Sequence, residues 1–151
     1  GEIINTGTVI NADPSVSMVG NIFFPKSPLH DGALIIRDGR LYAAGCILPL
    51  TQREDISSRL GTRHRAAIGM SENSDAVVLV VSEETGIISI VSNGKITRNY
   101  NSMSAAEELR KLLTDGEKTE NDSKVAAAVK RLNPFKKAHG KDAEKADETE
   151  N

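Results

Sequence analysis

Short apolar runs separated by turn residues dominate the first hundred positions of the chain. Asp38-Gly39 and Asn93-Gly94 each separate two such runs, and both dipeptides are typical of two-residue hairpin turns. The apolar runs predict strands at residues 3–11, 33–36, 41–48, 76–81, 87–91 and 96–100. The chain is therefore predicted to contain consecutive antiparallel hairpins.

Helical patterns lie between the predicted strands. Asp13 is the predicted N-cap of a short helix with Pro14 at its first position. Ser104 and Glu107 have the spacing of a capping box, which predicts a helix ending near residue 113. Consecutive hairpins among helices favour an α/β chain of α+β character, with a mixed, largely antiparallel central sheet covered by helices.

The charge pattern changes after Asp115. Residues 117–151 contain eight basic and eight acidic residues and almost no aromatic ones. Because such a segment cannot bury enough apolar surface to fold, we predict one folded domain at residues 1–115 and a charged, disordered tail at 116–151. A short amphipathic helix at residues 125–132 is the one element expected within the tail.

Composition excludes several kinds of protein. The formal net charge is −2 and 3% of residues are aromatic, which argues against a general nucleic-acid-binding surface. The single cysteine, Cys46, excludes an internal disulfide and a cysteine-rich zinc site, and its apolar surroundings predict a core position. No apolar run reaches transmembrane length, and no signal peptide is present.

Asp31, Gly32 and Ala33, which we call the acidic motif, lead into the apolar run at residues 33–36. Asp31 is therefore expected on a backbone bend at the mouth of a strand. Gly32 has no Cβ, which lets a ligand or another chain approach closely. Mg²⁺ takes one or two carboxylates from a protein and its other ligands from phosphate and water, so one fixed Asp suits it. The alternative is that Asp31 is an ordinary turn residue.

A basic motif follows Thr62, the predicted N-cap of a helix from residue 63 to about residue 72. The first turn of this helix contains Arg63, His64 and Arg65, which we call the basic triplet. The helix dipole disfavours cations at this end, but a bound anion would resolve the conflict, because backbone N–H groups and two guanidinium groups converge on it. The triplet therefore predicts a phosphate site. The alternative is a solvated basic turn paired with nearby acids, namely Glu54, Asp55 or Glu72.

The two motifs, in this order, resemble the signature motifs of the diadenylate cyclase domain. The flanking residues match as well: Asn21-Ile22-Phe23-Phe24-Pro25, Ser27-Pro28-Leu29-His30, Ile47-Leu48-Pro49-Leu50 and Val81-Ser82-Glu83-Glu84-Thr85-Gly86. The resemblance covers about residues 3–113 and is greatest to the membrane-anchored cyclases of Gram-positive bacteria. It implies condensation of two ATP molecules into cyclic di-AMP and two pyrophosphates, with Mg²⁺ or Mn²⁺ as cofactor.

The resemblance also implies catalytic roles. Asp31, Gly32 and Ala33 would form the acidic catalytic motif, in which Asp31 is metal ligand and base together. His30 would be a second metal ligand, although a lone histidine is more often structural.

Nucleotide contacts are implied for the basic triplet and its neighbours. Arg63, Arg65 and the Thr62 hydroxyl would hold the triphosphate, and His64 would donate to a phosphate oxygen or brace the loop. Further contacts are implied at five positions, namely Gly32, Ile47, Leu48, Ser82 and Glu84. Glu84 has a simpler interpretation as a hairpin-turn carboxylate.

Two departures from the family pattern stand out. Some relatives have a Tyr that stacks on adenine where this chain has Ile47, so the base would be held by aliphatic packing or by another ring such as Tyr42. Relatives also have a helix and a strand before the position of Gly1, so the sequence resembles a fragment of a longer protein.

The resemblance implies partners and a location. Catalysis would need a homodimer, and a membrane-bound regulator and a phosphoglucosamine mutase would be further partners, with no nucleic acid among them. The chain would be a cytoplasmic catalytic domain of a cell-membrane protein, tethered through helices that precede Gly1, and the piece itself is expected to be soluble.

Two other functions stay open. Another metal-dependent nucleotidyltransferase would need a second metal-binding carboxylate near Asp31, for which Glu84 is the candidate. A non-catalytic sensor of ATP or cyclic di-AMP would not need the carboxylate of Asp31.

Overall fold

The computed structural model describes residues 1–116 of the chain. A 3₁₀ helix at Ile4–Thr6 precedes the regular elements. The strands are β1 Thr8–Ala12, β2 Ala33–Arg37, β3 Arg40–Cys46, β4 Val78–Val81, β5 Ile88–Ser92 and β6 Lys95–Tyr100. The helices are α1 Val16–Ile22, α2 Thr62–Glu72 and α3 at residues 102–116. The predicted tail, including the helix expected at 125–132, lies outside the described residues from 117 onward.

The six strands form two three-stranded sheets, in the orders β1-β3-β2 and β4-β5-β6. All pairings in these sheets are antiparallel. Asp38 and Gly39 have φ values of 51° and 70°, and Asn93 and Gly94 have φ values of 50° and 70°. Two consecutive positive φ values are what the favoured two-residue hairpin turns require. The predicted α+β class with antiparallel pairing is therefore confirmed, with the strands divided between two sheets.

Each sheet has its own apolar cluster. In the first sheet, Ile22 of α1 packs with Leu41 and Ala44 of β3. In the second, Ala67 and Ile68 of α2 pack with strand residues that include Val80 and Val91. The two groups of candidate residues therefore lie beside different sheets. Asp31 precedes β2 of the first sheet, and the basic triplet begins α2, which packs on the second sheet.

Cys46 is 1% exposed at the end of β3, which confirms the predicted core position. Burial raises the pKa of its thiol above the usual value. A Cβ at Gly7 would lie 2.5 Å from the Cys46 sulfur, so the chain before β1 packs tightly on this side chain.

The carboxyl-terminal half of α2 contacts backbone directly. A Cβ at Gly69 would lie 2.2 Å from the Pro49 carbonyl oxygen, so a side chain here would collide with the segment after β3. Gly94 N donates to Ser71 Oγ at 3.0 Å. Arg53 donates to the Gly94 carbonyl at 2.8 Å, which ties the loop before α2 to the β5–β6 turn. These contacts fix α2 on the second sheet.

Several predicted boundaries were wrong because other residues make the capping bonds. Strand β1 begins at Thr8 rather than at residue 3, since Ile4–Thr6 forms a 3₁₀ turn. Ser15, not Asp13, caps α1: its Oγ accepts from Met18 N at 3.1 Å. Asp13 is bonded to Arg40 Nη1 at 2.6 Å instead.

Helix α1 thus begins later than predicted, whereas the other two helices begin earlier. Gly61 is the N-cap of α2, with no side-chain capping bond, so Thr62 is already helical. Asn101 and Ser104 exchange bonds, Ser104 N to Asn101 Oδ1 at 2.9 Å and Asn101 N to Ser104 Oγ at 3.0 Å. This reciprocal cap starts α3 at residue 102 rather than after Ser104. None of the helices within residues 1–116 is both long enough and apolar enough to cross a bilayer.

Candidate functional site

The acidic motif lies on a bend immediately before β2. Gly32 has a φ of +119°, and a Cβ there would lie 2.6 Å from Gly45 C and 2.9 Å from the Cys46 carbonyl oxygen. Glycine is therefore required, and the segment that approaches it closely is the chain's own β3. This packing fixes the backbone next to Asp31.

The Asp31 side chain is exposed, and its carboxylate makes no hydrogen bond or ion pair with any of the described residues. Ala33, the last residue of the motif, pairs with Cys46 at the start of β2. Asp31 therefore presents an unpaired anionic group at the mouth of the strand, as predicted, and this group can accept a cation.

His30 is half-buried beside Asp31. Its Nδ1 lies 2.6 Å from the Ser27 carbonyl oxygen, which can only accept, so Nδ1 carries the proton. The lone pair is then on Nε2. Metal-binding histidines usually donate their other N–H to a carbonyl or carboxylate in this way. Within residues 1–116, however, no group of three or more His, Cys, Asp or Glu side chains could form a metal cage.

The basic triplet occupies the first turn of α2, which contains no acidic residue. Arg63 Nη2 donates to Glu83 Oε1 at 2.5 Å. The Arg65 side chain is half-buried and makes no hydrogen bond or ion pair among the residues the structure describes. The pairing with acids considered above does not form: Arg53 takes both Asp55, at 2.6 Å, and Glu72, at 3.7 Å. The hydrogen bond from Arg53 holds the pKa of Asp55 below its usual value.

His64 differs from its two neighbours because it is buried, with 6% of its surface exposed. Its Nε2 has no hydrogen-bond partner among the described residues. Burial lowers the pKa of His64, and the positive charge of Arg98 on β6 lowers it further. A buried neutral ring suits the bracing role better than direct donation to phosphate.

The β4–β5 turn contains the remaining acidic candidates. Glu84 is exposed on this turn. Ser82 N donates to the Ile87 carbonyl at 3.0 Å, and Ser82 Oγ accepts from Thr85 N at 3.3 Å. Glu83, the neighbour of Glu84, was not predicted as a site residue, yet it is the carboxylate that contacts the basic triplet. The sequence signal was the pair of adjacent acids, but only the turn geometry decides which of them points toward α2.

The segment after β3 contains the predicted adenine contacts. Ile47 is 69% exposed, and its N–H donates to Thr6 Oγ1 at 2.8 Å. Leu48 is half-buried. An exposed aliphatic side chain on a hydrogen-bonded backbone offers an apolar surface to a flat base.

Hydrogen bonds and ion pairs connect some of these candidate residues and not others. Arg63 is joined to the β4–β5 turn through Glu83. In the part of the chain that is described, no hydrogen bond or ion pair joins Asp31 or His30 to the triplet. An open cleft of about 560 Å³ lies beside α2 and β6, but it is lined by other residues, which include Arg53, Ile56, Leu60, Ile68, Lys95 and Arg98.

Comparison with known proteins identifies the family. The sequence profile of the DAC family, described as DisA bacterial checkpoint controller nucleotide-binding, matches residues 1–96. This chain belongs to the DAC family.

Individual relatives of this DAC domain are close in sequence. Cyclic di-AMP synthase CdaA of Bacillus subtilis (strain 168) is 46% identical over 109 residues, covering 72% of this chain and 40% of the relative. A diadenylate cyclase of Listeria monocytogenes serotype 1/2a (strain 10403S) is 46% identical over 112 residues, covering 74% of this chain and 40% of the relative. The chain thus spans 40% of the length of each of these relatives.

A solved structure supports the fold of the DAC domain. The crystal structure of a double mutant of DacA from Staphylococcus aureus is similar, with a TM-score of 0.70 and 44% sequence identity. The match covers 73% of this chain and 73% of that chain. The α+β arrangement described above is therefore that of a DAC-family domain.

Proposed function

We propose that this chain is the catalytic domain of a diadenylate cyclase, which condenses two ATP molecules into cyclic di-AMP and releases two pyrophosphates. The observation that carries the proposal is the first turn of α2, where two arginines and free backbone N–H groups coincide without an acidic residue. The names of the curated relatives, cyclic di-AMP synthase and diadenylate cyclase, support the same activity.

The basic triplet binds the triphosphate. The Arg65 side chain has no hydrogen-bond or ion-pair partner among the described residues, and Arg63 engages Glu83 through Nη2 alone. Their remaining N–H groups, with the exposed Thr62 hydroxyl, hold phosphate oxygens and stabilise the charge on departing pyrophosphate. His64 supports the turn from beneath.

The acidic motif activates the nucleophile. The unpaired Asp31 carboxylate and the Nε2 lone pair of His30 would hold a divalent cation, Mg²⁺ or Mn²⁺, together with phosphate and water. When bound, such a cation would lower the pKa of the ribose 3′-hydroxyl and neutralise phosphate charge. Asp31 accepts the hydroxyl proton, the 3′-oxygen forms a bond to the α-phosphorus of the other ATP, and the bond to pyrophosphate breaks.

Ile47 and Leu48 pack against adenine, and Ser82 and Glu84 border the nucleotide. Each protomer holds one ATP, so two protomers meet face to face to close the ring. By family resemblance, helices preceding Gly1 tether the domain to a membrane, with a membrane-bound regulator and a phosphoglucosamine mutase as partners.

The test is incubation of the purified chain with ATP and either Mn²⁺ or Mg²⁺, followed by chromatography of the products. We expect cyclic di-AMP and pyrophosphate, with no product when the metal is chelated. Tight ATP binding without any product would indicate a nucleotide sensor. A different nucleotidyl product would indicate another nucleotidyltransferase, and either outcome would overturn the proposal.

A further inference from the structure

An ion pair links the basic triplet to a turn that is distant in sequence. Arg63 Nη2 lies 2.5 Å from Glu83 Oε1, although the two residues are 20 positions apart. Arg63 is in the first turn of α2, and Glu83 is on the β4–β5 turn. Among the residues that the structure describes, the side chain of Arg63 makes no other hydrogen bond or ion pair.

The contact uses a small part of the guanidinium group. Arginine has five N–H donors, and the bond to Glu83 takes one of them, on Nη2. Nε and Nη1 make no hydrogen bond within residues 1–116. Glu83 therefore fixes the direction of the Arg63 side chain and leaves the other edge of the guanidinium group for a phosphate.

The turn that contains Glu83 is stiffened by its own hydrogen bonds. Gly86 N donates to the Ser82 carbonyl at 2.9 Å, and Ser82 N donates to the Ile87 carbonyl at 3.0 Å. Thr85 Oγ1 accepts from Ile87 N at 3.3 Å, and Gly86 has a φ of 69°. Because the turn is closed in this way, a bond that holds Glu83 also fixes its neighbours Ser82 and Glu84.

The geometry points to Glu83 as a positioning residue for the nucleotide: its carboxylate orients Arg63 toward the triphosphate and fastens the β4–β5 turn to the start of α2. This inference rests on the proposed function, because it assigns the anion at the triplet to ATP. Glu83 does not contact the nucleotide; it acts through Arg63 and through the placement of the turn.

Two other roles for Glu83 make different predictions. The Arg63 and Glu83 side chains are 48% and 69% exposed, and an ion pair so exposed adds little to stability. If Glu83 had a purely structural role, its substitution would change the unfolding temperature and leave ATP affinity unchanged. If the Glu83 carboxylate only repelled the triphosphate, the change in ATP affinity would have the opposite sign, because removing the charge would tighten ATP binding.

The test compares Glu83→Gln, Glu83→Asp and a matched control, Glu54→Gln, in the full chain. Glu54 is exposed and its side chain makes no hydrogen bond or ion pair among the described residues, so the control removes the same charge without breaking a bond. Affinity for ATP with Mg²⁺ is measured by calorimetry, KM and kcat by product formation, and the unfolding temperature by circular dichroism.

We expect Glu83→Gln to raise the Kd and the KM for ATP roughly tenfold through misplacement of Arg63 and the turn. The unfolding temperature should stay within about 2 °C of the parent. Glu83→Asp keeps the charge on a shorter side chain and should recover part of the loss. Glu54→Gln should match the parent.

Unchanged or tighter ATP binding in Glu83→Gln would overturn the inference, as would an equal loss in Glu54→Gln. A lower unfolding temperature with an unchanged KM would also overturn it. If the parent binds ATP but forms no cyclic di-AMP, the proposed function fails, and the calorimetric comparison still decides the role of Glu83.

Discussion

At the scale of single residues, the Asp31 side chain is exposed and has no hydrogen-bond or ion-pair partner among the described residues. Asp31→Asn keeps the shape of the side chain and removes the charge that would hold the metal and accept the proton. We expect turnover to fall at least about a hundredfold, while ATP affinity stays within a few-fold of the parent. Rate measurements with ATP and Mn²⁺, paired with calorimetry, check this. Turnover near the parent rate would show that Asp31 has neither role.

His64 makes stability depend on pH. Its pKa is lowered in the folded chain by burial first and by Arg98 second, so the unfolded state binds the proton more readily. Stability from this residue is therefore present above the ordinary histidine pKa of about 6.5 and is lost as the pH falls through it.

We expect the unfolding temperature of the parent to decrease between about pH 7.5 and pH 5.5, and His64→Leu to show a shallower decrease. Leu has a similar size and no titrating group. Thermal unfolding at several pH values measures both slopes. Equal slopes in the two proteins would mean that His64 is not the residue responsible.

The environment of a single residue was predictable where its residue type and its local pattern allow few alternatives. Cys46 was predicted to be buried in its apolar strand, and this is confirmed. Gly32 was expected to let a ligand or another chain approach closely, whereas the segment that approaches it is the chain's own β3. Glu83 was missed because adjacent carboxylates look alike in sequence, and the direction of each depends on the turn. Asp13 was predicted as the cap of α1, but its carboxylate pairs with Arg40, and Ser15 makes the capping bond instead.

At the scale of elements, the position of α2 depends on close backbone contact at Gly69. A Cβ there would lie 2.2 Å from the Pro49 carbonyl and 2.6 Å from Thr51 N, both backbone atoms that cannot rotate away. We expect Gly69→Ala to lower the free energy of unfolding by about 1–3 kcal/mol.

Gly20→Ala is the matched control for this change. Gly20 is in α1, and a Cβ there would meet nothing within 4 Å. Alanine favours helix over glycine, so Gly20→Ala should be neutral or stabilising by up to about 1 kcal/mol. Urea unfolding of both variants tests the contact. If Gly69→Ala were as stable as Gly20→Ala, α2 would not be packed as described.

The elements themselves were largely predictable, and their boundaries were not. Both hairpins followed from Asp-Gly and Asn-Gly, because the turns need positive φ at two successive positions. Apolar periodicity located the strands but could not divide them into two sheets, since it does not specify which strand pairs with which. The starts of α1 and α3 were displaced because another nearby residue supplied the cap, whereas α2 begins one residue early, after Gly61, which makes no side-chain capping bond.

At the scale of the whole molecule, the proposed reaction requires two ATP molecules to meet. The basic triplet and the acidic motif offer groups for one ATP, yet the product joins two nucleotides. Each α-phosphorus must meet the 3′-hydroxyl of the other nucleotide. The simplest arrangement is two protomers related by a two-fold axis, with their sites facing each other.

This arrangement makes activity depend on concentration. We expect weak pairing that bound nucleotide reinforces, and specific activity that rises with enzyme concentration at saturating ATP. Mixing parent with an excess of Asp31→Asn should produce heterodimers that form one phosphodiester bond and release linear diadenylate, which chromatography separates from cyclic di-AMP. If activity per chain stayed constant down to concentrations at which sedimentation detects only monomer, ring closure would have to occur within one chain, and the face-to-face arrangement would be wrong.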